Sequence, residues 1–465
     1  MMEKHMMQSG KTESLDLLAQ QLSAIRDPEG LQRYEQDFSG WKSARPDMVF
    51  RPQTTDEVAA ILRACSAEQR QVTVQGGLTG LAGGASPDTA DVAISMERMN
   101  QVLEFDEVGG TITVQPGMVL EKLCEHVEAA GWYFPLDFGA RGSCQVGGNV
   151  STNAGGNRVL RYGTTRMLVL GMEVVLADGR VLSMLNKGLK NNTGLDLKHL
   201  FIGAEGTLGV VTKLVLRLFP KPQARYSALV AAPSFSAVTQ LLKAARAAFA
   251  NLSSFELMWH EYLSMACKTI GRSEPFDQAY PLYVLLETEG DLDVRAEEAL
   301  QEWLEAQLEK ELISDVILPQ SSEQAAQLWH MRDASGEILK ELTPYVAFDV
   351  GLPMQHSEAF VQRVTQRLEQ TYPQAHNLFF GHLGDGNLHL TTGPFAEEDL
   401  LAVEELVYEE VAAVGGSISA EHGIGRIKKP FLHFSRNEEE LALMRQLKEL
   451  LDPQNILNAG RVYPN

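Results

Sequence analysis

The chain has 465 residues, of which 44% are hydrophobic and 22% charged, and a formal net charge of −21. That length exceeds what one hydrophobic core usually holds, so two domains or more are expected. The negative balance argues against nucleic acid and anionic membrane as partners, because both need clustered Lys and Arg. No apolar run approaches the roughly 18 residues of a membrane helix, and the start Met1-Met2-Glu3-Lys4-His5 lacks a signal peptide's apolar core. A cytoplasmic protein with no integral membrane segment is therefore expected. Cys65, Cys124, Cys144 and Cys267 show no C-x-x-C spacing and read as buried, reduced thiols.

A helical segment is expected over residues 1–45. Thr54-x-x-Glu57 then reads as a capping box, and Val58, Ile61, Leu62 and Cys65 at helical spacing predict an amphipathic helix behind it. Gln71-Val72-Thr73-Val74 reads as a strand that opens into a loop containing Gly76, Gly77, Leu78, Thr79, Gly80, Gly83 and Gly84. Such a loop turns backbone N–H groups into a concave nest of the kind that holds phosphate. It lacks both the Lys-Ser/Thr ending of a P-loop and the G-x-G-x-x-G spacing of a Rossmann turn, which disfavours those two nucleotide folds. A second run, with Gly147, Gly148, Asn149, Asn153, Gly155 and Gly156, combines close backbone approach with amide side chains. A third, with Gly203, Glu205, Gly206, Gly209 and Val210, precedes a strand-like apolar stretch. Three such loops point to one extended ligand, such as a dinucleotide, laid along the domain.

The breaker cluster Leu218-Phe219-Pro220-Lys221-Pro222 marks the likeliest boundary, giving a domain over 46–222. Beyond it the texture is α+β: strands over 226–232 and 280–287, and helices over 234–249, 293–311 and 357–371. That second domain runs over 223–425. A tail over 426–465 holds a helix at 444–451 that ends at Asp452-Pro453.

Two short clusters carry the chemistry. In Gly381-His382-Leu383-Gly384-Asp385-Gly386-Asn387-Leu388-His389, a two-residue type I′ turn at Asp385-Gly386 would oppose His382 to His389. Directly opposed residues share a face with Cβ atoms roughly 4.5–5.5 Å apart, and Asn387 lies on the face of His389. Downstream, Ser419-Ala420-Glu421-His422-Gly423-Ile424-Gly425-Arg426 supplies a carboxylate and a third imidazole. Each cluster alone reads more readily as an ordinary turn. Together they make a two-histidine, one-carboxylate set with an open position, as in catalytic zinc sites, and the same donors allow Mn²⁺, Fe²⁺ or Co²⁺. Neighbours in an extended segment point to opposite faces, so Glu421 is assigned to the metal and His422 to proton abstraction.

These residues resemble the flavin-dependent D-2-hydroxy-acid dehydrogenases of the vanillyl-alcohol oxidase / p-cresol methylhydroxylase fold family. That family includes flavin D-lactate dehydrogenases, D-2-hydroxyglutarate dehydrogenase and the large glycolate oxidase subunit. The matching segments are Gly76 to Gly84, Pro135-Leu136-Asp137-Phe138-Gly139-Ala140, Gly147 to Gly156, Asn192 to Leu197, Gly203 to Gly209, the His382–His389 hairpin, Glu421 to Gly425, and Asp452 to Asn458. The resemblance implies an α+β protein with a two-part FAD-binding domain, to which the C-terminal segment returns, and an α+β substrate (cap) domain. It implies FAD with its pyrophosphate on Gly76–Gly84 and further contacts from Pro135, Gly139, Ser143 and Asn458. It also implies a divalent cation, zinc foremost, on His382, His389 and Glu421, His422 as the base, and Arg332 in Leu328-Trp329-His330-Met331-Arg332 as carboxylate anchor, with Asn387 beside the substrate.

A D-2-hydroxy acid would then be oxidised to its 2-oxo acid, with electrons passed to an electron-transfer flavoprotein, a cytochrome or a quinone. An oxidase using O₂ would share these motifs, and a homodimer is allowed. Ala347 stands where the hydroxyglutarate enzymes carry lysine, and Gly336 where they carry threonine. A second buried carboxylate without a cation is costly, so D-lactate or a related monocarboxylate is expected over D-2-hydroxyglutarate, the alternative. Against this, Leu195-Asp196-Leu197-Lys198-His199-Leu200-Phe201 resembles the hydroxyglutarate branch more closely.

Overall fold

The computed structural model describes residues 14–42, 44–88 and 91–463. The extreme N-terminus, on which the expectation about a signal peptide rests, lies outside those residues. From Ser14, whose side chain caps Leu15–Gln21, the chain packs Leu15 and Leu18 under the helix Thr55–Ala67. Thr54 caps that helix by accepting from Glu57 N at 3.2 Å, but the Glu57 carboxylate reaches Gln53 N at 2.7 Å. The reciprocal half of the box is thus displaced by one residue.

The first half is built on two main sheets, beside a short pairing of Trp132–Tyr133 with Phe219–Pro220. Met48–Phe50, Val92–Ser95 and Val72–Gln75 lie parallel in that order, and their near-continuous burial is what a parallel sheet covered on both faces requires. The other sheet is antiparallel, in the order Val102–Asp106, Thr111–Val114, Val210–Arg217, Val169–Val175, Val181–Met184. Its core is closed by the helices Leu120–Glu128 and Val146–Thr152. The three glycine-rich runs occupy the connections: one follows Gln75, one forms Val146–Thr152 and its exit, and one leads into Val210.

The second half is a seven-stranded antiparallel sheet. Its order is Asp315–Ile317, Ala224–Ala232, Leu282–Gly290, Leu252–Trp259, His376–His382, Asn387–Gly393, Val346–Gly351. Both faces are covered, with Val230 and Leu257 in one core and Leu229 and Met258 in another, so the inner strands are apolar throughout instead of alternating. The predicted helices appear as Phe235–Ala248, Val294–Glu309 and Met354–Thr371, while the tail helix is longer than expected, Glu438–Leu451. After it the chain returns to the first half. Leu457 bridges Val72, and the Lys448 ammonium donates to the carbonyls of Thr207 and Leu457 and to Asp452.

Candidate active site

The hairpin carries its histidines differently from the expectation. Strand pairing opposes His389 to Phe380, and His382 to Glu256 of the neighbouring strand. The tight turn is replaced by a 3₁₀ turn, Leu383–Asp385, closed by Gly386 at φ +84°. The slip is by two residues, and an even slip preserves the face. His382 and His389 therefore still converge, their ring centroids 5.5 Å apart. Glu421 arrives from a loop, and the donor atoms of His382, His389 and Glu421 lie within 4.8 Å of one another. Tetrahedral ligands at zinc distances stand about 3.3 Å apart, so modest side-chain rotations close the set.

Two carboxylates that no motif announced organise this set. Glu256 Oε1 lies 2.9 Å from His382 Nδ1, and Glu256 Oε2 accepts from Arg332 Nε at 2.8 Å. Burial opposes a charged His382, but Glu256 outweighs it and raises the ring to about 9. Arg332 Nη2, however, points its N–H at His382 Nε2 from 3.0 Å, which demands a lone pair there. The hydrogen-bond geometry decides: Nδ1–H donates to Glu256, and Nε2 is left as the electron-pair donor, the usual arrangement of a metal-ligating histidine. Burial holds His389 well below its ordinary value, hence neutral, and lifts Glu421 to about 7. Asp333 fixes the other end of the guanidinium, at 3.0 Å from Arg332 Nη1.

The second carboxylate is Asp349, fully buried and directly opposite His389. Its Oδ2 accepts the main-chain N–H of Glu421 at 2.9 Å and of His422 at 2.8 Å, and lies 3.8 Å from His422 Nδ1. Burial lowers His422 while Asp349 opposes the shift, leaving a neutral imidazole able to accept a proton. Beside these rings the Asn387 amide is buried with neither its oxygen nor its nitrogen paired, a cost of about 1–3 kcal/mol that a ligand would recover. A single charged residue in the buried strand Leu252–Trp259 was the one available signal for Glu256.

The glycine runs form a single surface. A Cβ on Gly77 would strike the carbonyl of Ser143, Gly76 lies against Gly148, and a Cβ on Gly156 would strike the carbonyl of Asp137. Around this line Gly139 and Gly148 face open space, and Gly80 meets only Asp37 at 3.7 Å. Thr79 and Gly84 are half-buried there, while Pro135 is buried and Ser143 exposed. An open cradle of this kind fits a flavin dinucleotide.

Other expected cofactor residues are engaged within the protein. Leu78, at φ +58°, offers its carbonyl to Phe38 N, and Gly83 packs on Trp41. Asn149 Nδ2 meets Cys144 Sγ, and Asn153 Oδ1 accepts from Arg166 N. Gly147 packs on Pro116, Gly209 on Val174, Gly206 on the Asn458 amide, and Val210 is core. Asn458 joins Val74 N to the Glu205 carbonyl, and Glu205 spends its carboxylate on Ile424 and Gly425. Of the two lysines after the Glu-His pair, Lys428 donates to Ile418 O and Ser419 Oγ, and Lys429 to Gly460 O.

Comparison with known proteins meets this site from both halves. Residues 46–184 match the model described as FAD binding domain, and residues 221–462 the one described as FAD linked oxidases, C-terminal domain. D-2-hydroxyglutarate dehydrogenase, mitochondrial, of Bos taurus is 44% identical over 95% of this chain and 81% of its own. D-2-hydroxyglutarate dehydrogenase of Xanthomonas citri pv. viticola is 39% identical over 96% of both chains. A putative mitochondrial D-lactate dehydrogenase of Schizosaccharomyces pombe is 38% identical over 94% of this chain and 85% of its own. Among solved structures, p-cresol methylhydroxylase with substrate bound superposes with TM-score 0.76 at 15% identity, covering 96% of each chain, which speaks for the fold alone. Cradle, fold and the buried carboxylate–imidazole cluster together define a flavoprotein oxidoreductase acting on CH–OH. The chain belongs to the FAD-linked oxidases, among their FAD-dependent D-2-hydroxy-acid dehydrogenases. Among the described residues no helix is long and apolar enough to cross a membrane.

Proposed function

We propose that the protein oxidises D-2-hydroxyglutarate to 2-oxoglutarate, with a divalent cation on His382, His389 and Glu421 and an external electron acceptor. The chemistry rests on one observation: a neutral, half-buried His422 stacks near His389, one of those three donors, while a carboxylate-fixed Arg332 meets another, His382. The substrate rests on the 44% and 39% identical relatives. Bound FAD would accept the C2 hydride, and a bound cation would acidify the substrate hydroxyl. Arg332, its plane held by Glu256 and Asp333, keeps one Nη1 N–H and its charge for the carboxylate next to C2. His422 takes the hydroxyl proton, and Asp349 steadies the imidazolium that results.

D-lactate is the second reading, favoured by Ala347 and by the Schizosaccharomyces pombe relative. The Ala347 argument presumes a dry pocket, yet Ala347 is exposed, two residues along the strand from Asp349. A carboxylate reaching that position keeps its water and needs no lysine. Steady-state kinetics on D-lactate, D-2-hydroxybutyrate, D-malate and D-2-hydroxyglutarate with a dye acceptor decide between them. The highest kcat/KM is expected for D-2-hydroxyglutarate, and a clear preference for D-lactate would replace the first reading by the second. Full turnover by protein shown to be metal-free would remove the cation from the mechanism.

A further inference from the structure

The turn that carries the metal carboxylate and the base has four of its backbone N–H groups taken by just two side chains. Asp349, on the cap sheet, accepts those of Glu421 and His422. Glu205, from the glycine run of the first half, accepts those of Ile424 at 2.7 Å and Gly425 at 2.8 Å. The local geometry is built around that grip. Gly423, at φ +80°, would place a Cβ 2.9 Å from Glu205 Oε1, and Gly425 sits at φ +51° against the carbonyl of Ala82. Ala82 O in turn accepts Arg426 N at 2.8 Å, which seats the same turn on the Gly76–Gly84 loop. Glu205 is held in place by Asn458, whose amide donates to its carbonyl at 2.6 Å, and by its own N–H to Ser151 O at 2.8 Å.

We propose that Glu205 is a positioning residue: with Asp349 it straps the turn 421–425 between the two halves of the molecule and so sets His422 against the flavin-binding loops, without itself contacting the cofactor. Each Glu205 oxygen is aimed at an N–H of the turn, and a carboxylate would repel a pyrophosphate brought against it. The inference rests on His422 as base, and displacing a base by an ångström costs up to about 10²-fold in rate.

The test is Glu205→Gln in the full-length holoenzyme, assayed at saturating cation. One amide oxygen replaces two acceptors, and an NH₂ then faces an N–H. Expected are FAD content and KM near wild type, kcat per bound flavin lower by about 10- to 100-fold, and faster hydrogen exchange at Ile424 and Gly425. Asp349→Asn should likewise speed hydrogen exchange at Glu421 and His422 from the other side. Loss of flavin in proportion to activity, with kcat per bound flavin unchanged, would make Glu205 a cofactor residue and overturn the proposal. Should neither variant fold, the wild-type amides of Ile424 and Gly425 still decide, because rapid exchange there contradicts a strap. A His422→Ala variant with full kcat would refute the base assignment instead and leave the exchange result standing.

Discussion

Glu421 rests its carboxylate on Gly155: a Cβ added at Gly155 would lie 2.6 Å from Glu421 Oε1. The glycine that sequence alone assigns to cofactor approach thus also makes room for the carboxylate proposed to hold the cation, and the two proposed sites meet there. Gly155→Ala should move the flexible Glu421 side chain at small cost in stability and weaken cation binding by about tenfold or more, with flavin retained. Calorimetric titration with Zn²⁺ or Mn²⁺ beside a visible spectrum checks this, and unchanged cation affinity would refute it.

Glu256 holds both Arg332 and His382, the residues proposed to meet the substrate carboxylate and the cation. Glu256→Gln keeps the shape and removes the charge. Cation affinity should fall by about 10- to 100-fold, as for other partners of ligating histidines, and KM should rise because Arg332 loses its buried counter-charge. Titration of the apoprotein and steady-state kinetics read the two effects separately.

Within the adjacent pair the proposed roles differ. His422→Ala should cut turnover by about 10²- to 10⁴-fold with cation content near wild type, whereas Glu421→Ala should lose the cation. Elemental analysis of both purified variants tests the division, and equal metal loss would show that the pair is wrongly assigned.

Stability should depend on pH through Glu404, whose carboxyl burial raises to about 7 from 4.5 against the pull of Lys428. The folded state then binds this proton more tightly than the unfolded chain. Its contribution is complete below pH 4.5 and is lost as pH rises through about 7. Glu404→Gln should therefore be more stable than wild type by roughly 1–3 kcal/mol at pH 8 and no different near pH 4.5. Denaturant melts at the two pH values measure it.

The loops and the residues of the candidate site were legible because they are local. Glycines that permit positive φ and expose N–H groups announce a nest wherever the chain goes, and Glu421 with His422 needs only neighbours. Family resemblance added the flavin to the nest and Arg332 to the site. The hairpin shows where locality ends: its face was readable, since parity survives an even slip, but its register was not, because the adjoining strand Leu252–Trp259 claims His382 for Glu256. Glu256 lies 126 residues before His382, and Asp349 lies 73 before His422. Nothing in the chain between them records that the strands Leu252–Trp259 and Val346–Gly351 flank the hairpin on either side. Sheet order is set by the packing of both faces together, so the partners that tune the histidines and hold the turn 421–425 were decided only by the tertiary structure.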